Sequence, residues 1–189
     1  WASQFDKVRI KASEEVKTIF YTALYHSLLY PRKIDEYGRY YSAFDDAIHN
    51  GVMYNCWSMW DTYRAEHPLL TLVTPEHIDD MMQSLVEMFN EGGWLPKWPN
   101  PSYTGIMVGS PAETILAEAW TKGFRGFDVE QAYAAIRKNA VIPQVGDRDN
   151  QWPDRGNFGD FPETRAGLGR YMEIGYVAGD ETAESVSRT

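Results

Sequence analysis

Two Trp, an Asp, a Thr, a Tyr and an Arg fall within eight residues at Trp57-Ser58-Met59-Trp60-Asp61-Thr62-Tyr63-Arg64. A carboxylate that accepts, a guanidinium that donates and flat rings beside them line pockets for carbohydrates and other polar small molecules. Asp61 and Arg64 stand three residues apart, so on a helix they share one face with Trp57 and Trp60 close by. The same residues also suit a core helix in which Asp61 caps a turn and Arg64 pairs with a neighbour. The stretch alone leaves both readings open.

A second aromatic group lies on Trp94-Leu-Pro-Lys-Trp98-Pro-Asn-Pro-Ser-Tyr103-Thr-Gly105. Its prolines forbid a helix and stiffen the loop. Trp94, Trp98 and Tyr103 are therefore expected to face a ligand. Other groups read as structural. His26 sits among Tyr21, Tyr25 and Tyr30 as a satisfied histidine. Asp45-Asp46, without further oxygen ligands at regular spacing, reads as a solvated turn and not a metal site. Glu113 completes the box Ser110-Pro111-Ala112-Glu113, with a cap, Pro at the first helical position and Glu at the third.

The elements that must position these groups are mostly helical. The spacing of Val16, Ile19, Phe20, Ala23, Leu24 and Leu28 predicts a helix over 13–30, capped by Ser13 and stopped by Pro31. Residues 33–55 predict short strands or extended loops. A second helix is expected from about Ser58 to Thr71, kinked or broken at Pro68. A third starts at Thr74-Pro75-Glu76 with Thr74 as its cap, buries Ile78, Met81, Met82, Leu85, Met88 and Phe89, and ends at Gly92-Gly93. A fourth runs from Ser110 to Lys122-Gly123. A fifth runs from the Asp128 cap to about Ala140, with Ala132, Ala135 and Ile136 as its apolar positions. Residues 141–166 read as an irregular connection, Arg165 to Val177 as a short sixth helix, and Asp180 to Thr189 as the start of another. About six helices in succession, with aromatic Pro-rich connections and no βαβ alternation, predict a mainly α fold, a toroid or a bundle.

Composition narrows the function. The chain has 189 residues, 43% hydrophobic and 24% charged, as expected for a globular domain. Aromatics reach 14%, which puts some rings near a surface or cleft. A net charge of −9 without a basic run argues against nucleic acid and anionic membranes as partners. Cys56, the single cysteine, excludes an intrachain disulfide framework. No apolar run reaches membrane-spanning length. The opening on Trp1 and the stop at Thr189 within a helical segment are read as the two ends of a piece cut from a longer protein. No glycine-rich phosphate loop, nucleophile elbow or HExxH zinc motif occurs.

The run Phe20-Tyr-Thr-Ala-Leu-Tyr-His-Ser-Leu-Leu, then Trp60-Asp-Thr-Tyr-Arg64, His67-Pro-Leu-Leu-Thr-Leu, Gly92-Gly-Trp-Leu-Pro, Ile106-Met-Val-Gly-Ser-Pro-Ala and Ala178-Gly-Asp-Glu-Thr-Ala-Glu-Ser-Val-Ser resembles glycoside hydrolase family 92. These are calcium-dependent exo-acting α-mannosidases. The resemblance implies a β-sandwich before Trp1 and, over residues 1–189, the first half of an (α/α)6 toroid with a few short strands. It implies inverting hydrolysis of terminal α-linked mannose on glycans such as N-glycans, with a Glu as acid, Asp carboxylates as base and Ca2+ helping to distort the sugar. An inverting enzyme keeps its two carboxyl groups about 6.5–9.5 Å apart to admit water. The acid, the base and the calcium ligands are expected beyond Thr189, so no catalytic or metal residue is assigned within the chain. By resemblance Asp61 accepts from mannose hydroxyls and Arg64 donates to them, beside Trp60. Trp94, Trp98 and Tyr103 are weaker pocket-rim candidates. A secreted, periplasmic or cell-surface location follows from the same resemblance. The alternatives are a noncatalytic helical carbohydrate-binding or scaffold module and a different inverting (α/α)6 glycosidase.

Overall fold

The computed structural model describes residues 1–107, 109–144, 165 and 167–176. Among these the chain is mainly helical, with four short strands. The helices are α1 (Ala2–Phe5), α2 (Glu14–Ser27), α3 (Met59–Thr62), α4 (Glu66–Val73), α5 (Ile78–Gly92), α6 (Pro111–Thr121), α7 (Val129–Val141) and α8 (Leu168–Ile174), with a 3-10 turn at Pro75–His77.

Helix α5 is the centre. Its buried positions Ile78, Met81, Met82, Leu85, Val86 and Met88 recur at helical spacing, as expected. It packs against α6, α7 and the strand β4 (Tyr54–Asn55). Ala112, Ile115, Leu116 and Ala119 of α6 and Ala132 and Ala135 of α7 complete one core with Phe44, Trp57, Met59, Leu95 and Tyr103. Each large side chain so buried contributes about 1.5–3 kcal/mol relative to exposure.

The strands form two ladders. Strand β1 (Arg32–Lys33) pairs antiparallel with β4, Arg32 opposite Asn55. Strands β2 (Arg39–Ser42) and β3 (Ala47–Asn50) form a hairpin, Arg39 opposite Asn50 and Ser42 opposite Ala47. Along β2 exposure alternates, with Tyr40 and Ser42 turned inward. Asp46 occupies the turn with φ +58°.

Several helix expectations are corrected. The helix expected over Ser58–Thr71 is two, α3 and α4, parted at Tyr63–Ala65. Pro68 does not cause the break. It lies in the first turn of α4, where a missing N–H leaves no intrahelical acceptor unserved. Thr74 does not cap α5; its hydroxyl donates to Leu70 O at 3.1 Å, and the 3-10 turn intervenes. Ser110 makes no side-chain cap bond to α6, and Glu113 turns to Arg165, 3.0 Å away. Ser13 and Asp128 do cap, accepting from Val16 N and Gln131 N. The stripe expected to be buried on α2 is largely open. Leu24 is its one buried residue, while Val16, Ala23 and Ile19, the last 64% exposed, face outward. Within the described residues no element covers that face. The expected irregular stretch 145–164 and the segment 177–189 lie outside the described residues.

Candidate functional site

Strand β4 anchors the site. Tyr54 N donates to Ser84 Oγ of α5 at 2.9 Å. Buried Asn55 donates through Nδ2 to Pro101 O at 2.8 Å, and its Oδ1 accepts from Cys56 N. The strand end is thus tied to both the central helix and the Pro-rich loop. Cys56 follows with φ +63°, a left-handed conformation unusual for a side chain of this kind. Backbone held in such regions clusters at binding sites because the surroundings must enforce it. The turn delivers Trp57 into the core and Ser58 and α3 toward the surface.

There a cavity of about 420 Å³ opens, lined by His26, Tyr30, Arg32, Cys56, Ser58, Asp61, Thr62, Glu66, Trp98 and Asn100. Its volume falls within the range of small-molecule sites. Acceptors, donors and two aromatic rings share its wall, the mixture that a polyol ligand requires. A neighbouring cavity of about 450 Å³ shares Tyr30 and Arg32 but has Leu28, Leu29, Pro31, Leu70 and Met81 along its wall and no carboxylate. Size alone does not make it the better candidate, because acid–base or charged hydroxyl-binding chemistry needs a carboxyl group.

Two of the expected site residues meet in the cavity, Asp61 and Trp98. Asp61 is exposed in this chain rather than partly buried, and accepts from the Ser58 hydroxyl. It does not pair with Arg64. The one-turn helix α3 ends before Arg64, whose guanidinium stacks over the rings of Trp60 and Tyr63 at 4.9 and 5.0 Å. Neither Trp60 nor Arg64 lines the cavity. Trp94 and Tyr103, expected at a pocket rim, are core residues, 6% and 2% exposed. The Tyr103 hydroxyl accepts from Trp94 N at 2.9 Å and donates to Trp94 O at 2.7 Å, so the loop is stapled inward.

Glu66 escapes sequence reading, and Thr62, though inside the aromatic stretch, carries no role there. Each lines the cavity, and each has a buried oxygen, Oε1 and Oγ1, without a hydrogen-bond partner among the described residues. Burial, then the nearby charge of Asp61, pushes the Glu66 carboxyl up to about 7. Glu66 is five residues from Asp61 across the break between α3 and α4, so no helical period links them. His26, expected to be structural, is exposed and lines the same cavity. Buried His67 packs edge-on to Trp57 with ring centres 5.5 Å apart, and burial holds its pKa down at about 4.

Calcium takes six to eight oxygen ligands. Among the described residues the one cluster of His, Cys, Asp and Glu side chains close enough to share an ion is Asp45, His49 and Glu91, two carboxylates and an imidazole. That donor set is not the all-oxygen shell that calcium takes.

The profile of the glycosyl hydrolase family 92 catalytic domain matches residues 1–189. Among solved structures the chain is similar to a family GH92 inverting mannosidase of Bacteroides thetaiotaomicron VPI-5482, with 32% identity and a TM-score of 0.80 over 95% of this chain and 24% of that one. It is also similar to a family GH92 α-mannosidase of Bacteroides thetaiotaomicron, with 31% identity and a TM-score of 0.81 over 100% of this chain and 24% of that one. The complex of that enzyme with mannoimidazole matches at the same identity and TM-score. The chain thus spans about a quarter of the length of these structures. No curated protein sequence matches it.

Proposed function

The chain belongs to glycosyl hydrolase family 92, within the catalytic domain, and from that premise we propose that the longer protein carrying it removes terminal α-linked mannose from glycans with inversion. Residues 1–189 form part of one helical catalytic domain and contribute one polar wall of the sugar pocket. The observation that carries this reading is the cavity in which Asp61 and Trp98 meet Glu66, Thr62 and Arg32. Asp61 accepts from sugar hydroxyls and Trp98 offers a ring face. The stacked pair Trp60 and Arg64 lies next to Asp61 in the chain, and from there Arg64 donates to the sugar. Trp94 and Tyr103 hold the loop that carries Trp98.

The acid, the base and the calcium ligands belong to the rest of the longer protein. Its remaining helices also cover the apolar face of α2 formed by Val16, Ile19 and Ala23. Support comes from similarity to an inverting mannosidase and to an α-mannosidase crystallised with mannoimidazole, and from the quarter-length match. An extracytoplasmic location suits a glycan substrate; among the described residues no helix is long and apolar enough to cross a membrane.

The test is hydrolysis of a panel of α-linked glycosides by the full-length protein, followed by proton NMR in real time. Release of mannose whose first-formed anomer is β supports the proposal. Release of another sugar, or of α-mannose first, overturns the substrate or the stereochemistry respectively. Sugar binding without turnover supports the noncatalytic module instead.

A further inference from the structure

We propose that Asp45, His49 and Glu91 bind a divalent transition-metal ion, with zinc as the best match, which clips the β2–β3 hairpin to the C-terminal end of α5. One ligand atom from each residue lies within 4.8 Å of the others. His49 Nε2 is 2.8 Å from Asp45 Oδ2 and 3.9 Å from Glu91 Oε1. A small inward movement brings three ligands onto one ion. Imidazole with two carboxylates is a donor set for zinc and its neighbours, and the two carboxylates balance the ion's charge.

Glu91 supplies the independent observation. Its side chain is 5% exposed, Oε2 is buried without a well-aligned hydrogen bond among the described residues, and only the Ser42 and Tyr40 hydroxyls face the carboxyl beside His49. It is also the penultimate residue of α5, where the negative end of the helix dipole disfavours a carboxylate. A carboxylate taken out of water at that position is stabilised by a bound cation. Among the described residues His49 is the one basic side chain paired with it, 3.9 Å away.

The surroundings orient the ligands. The Tyr40 hydroxyl donates to Glu91 Oε1. The Tyr40 ring stacks on the imidazole, centres 5.6 Å apart and planes 29° apart. Asp45 Oδ1 accepts from Ala47 N at 3.2 Å, which leaves Oδ2 for the ion. Outer contacts of this kind fix ligand orientation at metal sites. Asp45 and His49 keep 30% and 34% of their side-chain surface exposed, so water can reach the ion and complete its shell. The turn at Asp45-Asp46 expected from sequence is present; His49 and Glu91 make it more than a turn.

The experiment uses the full-length protein, treated with chelator and then titrated with CoCl2 alone. Visible absorption of bound Co2+ is read, followed by displacement with ZnCl2 and a melting curve. Wild-type protein is expected to bind one more equivalent than the His49→Ala variant, or to bind it at least about tenfold more tightly. Zinc should raise the melting temperature of wild type by several degrees more than that of the variant. CaCl2 at the same concentration should reproduce neither difference. Equal stoichiometry, affinity and zinc-dependent melting shifts in the two proteins overturn the proposal. Asp45→Asn, on an exposed turn, serves in the same comparison should His49→Ala not fold, and must lose the same equivalent.

Discussion

At the scale of single residues, the two carboxylates around α3 and α4 have different tasks in the proposed function, Asp61 sugar binding and Glu66 a displaced titration. Asp61→Asn in the full-length protein removes a charged acceptor of a kind that contributes roughly 1.5–3 kcal/mol. It should lower kcat/KM about 10- to 100-fold with little change in melting temperature. A fall in melting temperature with unchanged kcat/KM would mean that Asp61 serves only its bond to Ser58. Glu66 and His67 should give opposite pH slopes of stability. Glu66 holds its proton more tightly folded, at about 7, than unfolded, so its ionisation weakens the fold as pH rises from the ordinary carboxyl range through 7. Because the group is only partly buried, screening by water reduces the effect to about 1 kcal/mol. Glu66→Gln should therefore raise the melting temperature at pH 8 by about 2–4 °C and give no gain at pH 4. His67 runs the other way. Its folded pKa is depressed to about 4, so the unfolded chain takes up a proton first as pH falls through 6.5, and stability is lost down to about 4. The loss amounts to about 3 kcal/mol. His67→Phe, which keeps a ring against Trp57, should flatten the stability profile between pH 6.5 and 4 in denaturant titrations. An unchanged slope would remove His67 as its cause.

At the scale of elements, the junction of α5 with the Pro-rich loop is the contact on which the site depends. Gly92 ends α5 directly beneath Tyr103. A methyl group there would lie 2.3 Å from the Tyr103 hydroxyl oxygen and 2.8 Å from its ring. That ring cannot retreat without breaking both hydrogen bonds to Trp94. Gly92→Ala should cost about 1–3 kcal/mol by overpacking, measured by urea denaturation. An unaffected midpoint would show that the loop can shift, and with it Trp98 and Asn100 at the cavity. The two-part helix α3–α4 has the same consequence from the other side. The break lets Asp61 and Glu66 converge on one cavity, whereas a continuous helix would place residues five apart well off a common face.

At the scale of the whole molecule, the described residues leave an apolar face of α2 without cover. Val16, Ile19 and Ala23 of α2 are exposed among the described residues, and surfaces of that kind normally meet other protein. The 189-residue chain, when folded by circular dichroism and supplied with calcium, is expected to release no mannose from any α-mannoside. Turnover by a clean preparation would relocate the chemistry to Asp61 and Glu66, the two carboxylates that share the cavity. The full-length protein, by contrast, should be active under the same conditions.

What could be read from sequence was local or periodic. The α5 stripe, the Ser13 and Asp128 caps, the glycine stop after α5 and the mainly helical class follow from spacing and from capping chemistry acting over a few residues. The motifs shared with family 92 are likewise short strings in order. Burial of Trp94 and Tyr103 was not legible, because a Pro-rich loop carries no period to say which face turns inward; the bonds from Tyr103 to Trp94 decide it. Nor was the exposure of the α2 stripe, since hydrophobic spacing states which residues need cover but not whether this stretch of chain supplies it. The cavity joins residues 26 to 100, and the Asp45–His49–Glu91 group joins a hairpin to a helix end. Contacts so distant in sequence exist only once α5 has gathered its neighbours, which is why tertiary packing alone brought Glu66 beside Asp61.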